Sequence, residues 1–311
     1  MGPPTFRERL REACAAGRPL LLDAAMGTEL ARRGVDTSPP LWSARGLYGD
    51  AAVVHAIHRE NARAGADVLT ANTFRTHARN LLSTEEPRRV AQRARELTLW
   101  AVALAREGAA AAGRKDVLVA GSLSPLEDCY SPDLVPDDAA LAREHALQAA
   151  TLAEGGCDLI LVETMNTVRE AVAAARAAAE TGLPVAVSLV TDGAGRLLSG
   201  EPVGAAARAL LALPRPPDLL GVNCVSARAM GADLGALREA AAGVPLGVYA
   251  NTGRALDEAR GLFTEPTGPE TYAELAAHWL AGGGIGLLGS CCGTTSAHTL
   301  ALRALIDGYG K

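Results

Sequence analysis

A short apolar run followed by a stretch of helical periodicity recurs eight times along this chain of 311 residues. The runs are LLLDA (20–24), ADVLTANTF (66–74), DVLVAGSL (116–123), DLILVET (158–164), LPVAVSLV (183–190), DLLGVNC (218–224), VPLGVYANT (244–252) and GIGLLGSCC (284–292). Helical patterns follow near 50–65, 86–112, 137–155, 166–181, 203–212, 228–242, 269–281 and 295–307. Near-continuous apolar strands belong to parallel sheets covered on both faces. Eight βα units at this length predict a single α/β domain over 1–311, a (β/α)8 TIM barrel. An open doubly wound sheet is the competing architecture. It would carry GxGxxG after the first strand, where this chain reads DAAMGTEL.

Composition narrows the function classes. Net charge is -5, with cations and anions interleaved and no basic stripe, so nothing points to nucleic acid. No run reaches the roughly 20 apolar residues of a membrane span. The N-terminus lacks an apolar signal core, which predicts a cytoplasmic protein. Six cysteines in that setting read as thiols or metal ligands, not disulfides.

Long polar loops at 31–50, 124–137 and 253–268 follow strands 1, 3 and 7, at the end where barrel active sites are built. The polar residues closing the strands therefore converge: Asp23, Asn72, Thr73, Ser122, Glu163, Asn223, Cys224, Asn251, Cys291 and Cys292. Adjacent Cys291 and Cys292 would point to opposite faces of a regular strand. Gly289 and Gly293 would let the chain bend so that both reach the mouth. Cys224, two strands away, can face them. Three thiolates around one point suit a tetrahedral Zn2+ with one open, catalytic position. His298 is the other nearby ligand type. A redox dithiol at Cys291 and Cys292 stays open, although the spacing is not CxxC. Cys14, Cys129 and Cys157 read as small buried hydrophobes.

Asp23 can pair with a substrate ammonium or cap its own loop. Glu163 ends an apolar strand, where an unpaired carboxylate is costly, so it needs an ammonium or a neighbouring Arg. His55, His58, His77, His145 and His278 read as surface or capping residues.

The segments LLLDAAMGTEL, ADVLTANTF, LILVETMNT, GVNC, YANTG and GSCCGTT, in that order, resemble the homocysteine S-methyltransferase family. The resemblance implies a zinc-dependent enzyme of methionine biosynthesis, with one Zn2+ on Cys224, Cys291 and Cys292. It would move a methyl group from S-methylmethionine or S-adenosylmethionine to homocysteine. Asp23 and Glu163 would hold the acceptor's amino group, and the backbone near Met26 and Gly27 its carboxylate. Asn72 and Asn223 would line the pocket. The chain departs from the pattern at Ala24, Ala250 and Ser296, where Gly, Pro and Pro are usual. Another thiol or selenol acceptor, or betaine or a methylated corrinoid as donor, stays open. So does a barrel that only binds a sulfur amino acid or a protein partner. With the chain ending soon after the eighth helix, folate or cobalamin domains are not expected, an expectation that favours a small sulfonium donor.

Overall fold

All eight apolar runs form parallel strands in a computed structural model that describes residues 4–253, 256–257, 262–263 and 265–309. The strands are β1 Leu20–Leu21, β2 Val68–Ala71, β3 Leu118–Leu123, β4 Leu159–Met165, β5 Val185–Leu189, β6 Leu219–Ser226, β7 Leu246–Asn251 and β8 Ile285–Ser290. They pair in the order 1-8-7-6-5-4-3-2. A parallel bridge from Leu22 to Val68 joins the two ends, with Asp67 N donating to Leu21 O at 2.7 Å. The result is the (β/α)8 barrel that the repeat predicts. Residues on both faces of β3, β4, β5 and β7 are buried, which explains why these strands read as unbroken apolar runs.

The interleaved helices fall within a few residues of the predicted spans: Ala51–Arg63, Val90–Ala111, Asp138–Glu154, Val168–Glu180, Val203–Leu211, Met230–Ala240, Pro269–Ala281 and Ser296–Gly308. Their starts are fixed by local chemistry. Asp137 accepts from Ala140 N, and Thr167 from Glu170 N. Pro269 takes a first-turn position, where its missing N–H costs nothing. Among the described residues no helix is long and apolar enough to cross a membrane.

Three features depart from the sequence reading. A helix at Phe6–Ala16, opened by a Thr5–Glu8 capping box, packs Phe6, Leu10 and Ala13 against Leu20, Leu118 and Leu287 in one cluster. It belongs to the interior that plugs the barrel. The 31–50 loop is partly helical, with turns at Trp42–Arg45 and Gly46–Gly49. The 253–268 loop lies in part outside the described residues. Of the five histidines read as surface or capping residues, His58, His77 and His145 are buried. Burial pushes the His58 imidazole down to about 3, so it stays neutral. His145 Nε2 lies 3.2 Å from Glu170 Oε1, which also accepts from Leu126 N at 2.8 Å and so pins the loop after β3.

Strands β6 and β7 meet closely at glycines. A Cβ on Gly221 would stand 2.6 Å from Ser188 Oγ and 2.7 Å from Gly247 O. Gly221→Ala is expected to destabilise by about 1–3 kcal/mol. Urea unfolding should show this as a lower midpoint at unchanged slope, and an unchanged midpoint would refute the close contact.

Candidate active site at the barrel mouth

Cys224 lies within β6 but with φ at +54°, in the left-handed region that a residue with a Cβ avoids. The neighbouring register explains it. Asn223 pairs with Tyr249 and Ser226 with Asn251, so β6 advances three residues while β7 advances two. That is a β-bulge, a device that re-aims a side chain near a site. A second bulge lies in β4, where Val162 pairs with Val187 and Met165 with Leu189. Within it, Thr164 has φ at +61°. The two bulges are locked together. Thr164 N donates to Asn223 Oδ1 at 3.0 Å, and Asn223 Nδ2 donates to Thr164 Oγ1 at 2.8 Å. Each left-handed residue costs about 1–3 kcal/mol, and such strain persists only where the surroundings over-determine it.

Cys291 and Cys292 follow the last residue of β8. Cys291 N still donates to Ala250 O at 2.8 Å, and Thr252 N donates to Cys292 O at 3.1 Å. The chain then turns at Gly293, whose φ is +82°. A Cβ there would overlap Thr252 and Phe263. Gly289 serves another purpose than the expected bend: its missing Cβ lets β8 approach Leu22, 2.6 Å from where that Cβ would be.

The sulfurs of Cys224, Cys291 and Cys292 all lie within 4.8 Å of one another. Those of Cys291 and Cys292 are 4.0 Å apart. Three sulfurs bound to one tetrahedral zinc at about 2.3 Å would be about 3.8 Å apart, so the donor set and its spacing fit that ion. The contact with Cys291 and burial hold the Cys224 thiol well above its usual range, a state that a cation at the centre would reverse. His298 is not a ligand. Its Nδ1 accepts from Thr295 N at 3.2 Å and its Nε2 lies 3.1 Å from Thr267 O, so the ring caps its helix.

Two carboxyl groups lie deeper in the mouth. Asp23 accepts from Thr70 N at 3.0 Å and from Thr70 Oγ1 at 2.9 Å. Glu163 accepts from Ser122 Oγ. Burial pushes Asp23 up to about 8, helped by Glu163 nearby, and pushes Glu163 up to about 7. Among the described residues neither has an Arg or Lys within ion-pair distance, so the Arg partner that the sequence left open for Glu163 is not found there.

A cavity of about 620 Å³ joins these groups. Asp23, Met26, Gly27, Asn72, Glu163, Cys224, Cys291 and Cys292 all line it. Asn223 is not among the lining residues; it is fully buried and holds Thr164. Gly27 opens the helix Gly27–Arg32, so its N–H has no acceptor within that helix. Asn72 donates to Ser43 O at 2.8 Å, and its Oδ1 is buried without a partner. Ala24 lines the wall, and its N–H donates to Asn61 Oδ1 at 3.2 Å. Ser296 takes the first position of its helix, where Pro is equally suited.

Several lining residues carried no sequence signal. Trp42 has φ at +43° and its ring fills the space a Gly27 side chain would need. It meets Phe74 edge-on at 5.5 Å. Cys129, read as a core hydrophobe, is buried but borders the cavity, and Cys14 is exposed. Asn223→Ala is expected to release the paired bulges and lower the affinity of the three-thiol site for Zn2+ by about 10–100-fold. Competition with a chromogenic chelator reads this, and unchanged affinity would refute the positioning role.

The homocysteine S-methyltransferase family model matches residues 20–306. The chain is 33% identical to a methionine synthase of Mycobacterium tuberculosis over 93% of its own length, but it spans only 25% of that relative. It is 27% identical to homocysteine S-methyltransferase 4 of Zea mays, covering 94% of this chain and 90% of the other. The metallated form of the homocysteine methyltransferase MmuM from Escherichia coli superposes with a TM-score of 0.79 at 28% identity, covering 95% and 99% of the two chains. The barrel, the ordered motifs and the cysteine cluster at its mouth thus have one common explanation: this chain belongs to the homocysteine S-methyltransferase family.

Proposed function

We propose that the protein transfers a methyl group from a sulfonium donor, S-methylmethionine or S-adenosylmethionine, to the sulfur of homocysteine, giving methionine. One observation carries this: three thiols spaced for a tetrahedral cation line one cavity together with two buried carboxyl groups that have no cation as partner among the described residues. An amino acid with a side-chain thiol supplies what both halves lack.

Cys224, Cys291 and Cys292 would hold one Zn2+. When bound, that ion supplies a Lewis acid with one free position, at which a substrate thiol is favoured as its thiolate. The chain's own residues do the rest. Asp23 and Glu163 pair with the acceptor's ammonium. The Gly27 amide, at a helix start, suits its carboxylate. Trp42 and Phe74 give the donor's cationic sulfur an aromatic wall. Apolar and aromatic walls exclude water, and holding both reactants at about 3–3.5 Å in line can contribute up to about 7–11 kcal/mol. In the transfer, the acceptor sulfur forms a bond to the methyl carbon with its electron pair. The carbon–sulfur bond of the donor breaks and leaves its pair on the donor sulfur. The acceptor's thiol proton goes to solvent, and both sulfurs end as neutral thioethers.

Zinc content and methionine formation measured on one preparation test the proposal. Wild type is expected to hold about one zinc and to make methionine from homocysteine and S-methylmethionine. Cys292→Ala is expected to lose both. Absence of zinc after purification under reducing conditions with zinc supplied would overturn the metal assignment. Zinc without turnover on either sulfonium would overturn the donor assignment.

The buried carboxyl groups set a pH dependence. Their acid forms cannot pair with an ammonium, so affinity should rise as Glu163 and then Asp23 ionise near 7 and 8. Methionine is the suitable probe, since it carries the ammonium without a thiol. Calorimetric titration should show its binding tighten as pH rises through that range, and Asp23→Asn should remove the upper part. A flat profile would contradict the role of the two acids.

A further inference from the structure

Arg75 is a guanidinium in the cavity wall with no anion beside it among the described residues. It follows β2, is partly buried and lines the cavity with Asn72, Phe74 and Cys129. Its one side-chain hydrogen bond among the described residues runs from Nη1 to the backbone oxygen of Glu127, at 2.9 Å. Its guanidinium carbon lies 5.2 Å from the centre of the Phe74 ring. Arg79, the other guanidinium of that wall, is neutralised by Glu144 at 2.7 Å and Glu127 at 3.0 Å. No carboxylate lies within 4 Å of Arg75 among the described residues.

This placement conflicts with a donor that is simply a cation. A fixed positive charge beside the donor space repels a sulfonium, and the low dielectric of a closed site strengthens the repulsion. Both sulfonium donors named above bring their own anion, a carboxylate, which removes the conflict. Guanidinium groups match carboxylates in a planar, two-pronged geometry. Stacking on Phe74 and the bond to the Glu127 carbonyl restrict how Arg75 can turn, so its free edge is set in advance. The acceptor's carboxylate has a separate candidate at the Gly27 amide, on the segment after the neighbouring strand β1.

We propose that Arg75 receives the carboxylate that both sulfonium donors carry, and so is a specificity-determining residue for the donor. This rests on the methyl-transfer reading above and refines it. A methylated corrinoid offers no such group at its methyl-bearing centre.

The test compares S-methylmethionine with its carboxamide, which keeps the sulfonium and the ammonium but loses the anion. Wild type and the Arg75→Gln and Arg75→Lys variants are assayed with homocysteine, and equilibrium binding of each donor is measured without the acceptor. Wild type is expected to favour the carboxylate form by at least about tenfold in both kcat/KM and Kd, the scale of a hydrogen bond to a charged group. Arg75→Gln should bring the two donors to parity. Arg75→Lys should restore part of the preference, because it returns the charge without the planar fork. Equal use of both donors by wild type, or a preference that survives in Arg75→Gln, overturns the subsite and leaves methyl transfer standing. A rise in homocysteine KM with the donor preference intact would assign Arg75 to the acceptor and likewise overturn it. Turnover with neither donor overturns the methyl-transfer reading and the subsite together.

Discussion

Groups able to carry negative charge are concentrated at the barrel mouth, and among the described residues the two acids have no cation as partner. Three thiols stand within 4.8 Å, and Asp23 and Glu163 are buried beside them. Burying even one ionised carboxyl without a partner is costly enough that such groups usually stay protonated, and both acids are indeed shifted upward. A fold that keeps five such groups in one cavity gains when cations enter. In the proposed function a divalent metal would satisfy the thiols, and a substrate ammonium would satisfy the acids. The chemistry follows from that deficit, because a ligand that completes both halves must carry its sulfur and its amino group on one short chain.

The barrel supports this arrangement by local departures from regular geometry. Regular strands would turn Cys224 and its neighbours alternately inward and outward. The bulges in β4 and β6 break that alternation, and the Asn223–Thr164 pair makes each bulge depend on the other. Gly293 does the same after β8, where a side chain would collide with Thr252. Tyr272, from the helix Pro269–Ala281, ties the ends of β7 and β8 together through Ala250 and Gly289. The strained residues are held by neighbours bonded to them, so the cluster is preorganised before any ligand arrives.

Much of this was legible in the sequence, for identifiable reasons. Parallel strands buried on both faces produce unbroken apolar runs, and eight of them with intervening helices leave few topologies. Topology then brings Asp23, Glu163 and the three cysteines to one mouth without any knowledge of contacts. What depended on register was not legible. Asn223 looks like a site residue by position, yet the bulge turns its amide to Thr164. Gly289 and Gly293 look alike in sequence, but one admits a neighbouring strand and the other a left-handed turn. His58, His77 and His145 occupy helix or loop positions whose inward face is set by packing. Trp42 sits in a loop with no periodicity, so nothing local marks it as part of the wall. The plug helix was open to detection, since Thr5 and Glu8 form a capping-box pattern.

The central claim is that three cysteines hold a metal with one position reserved for the substrate's sulfur. X-ray absorption at the zinc edge, on zinc-loaded protein with and without homocysteine, tests it most directly. The account predicts three sulfurs and one lighter donor in the free protein, becoming four sulfurs when homocysteine is added. A metal shell with four sulfurs before homocysteine arrives, or one that gains no sulfur from it, would contradict the account.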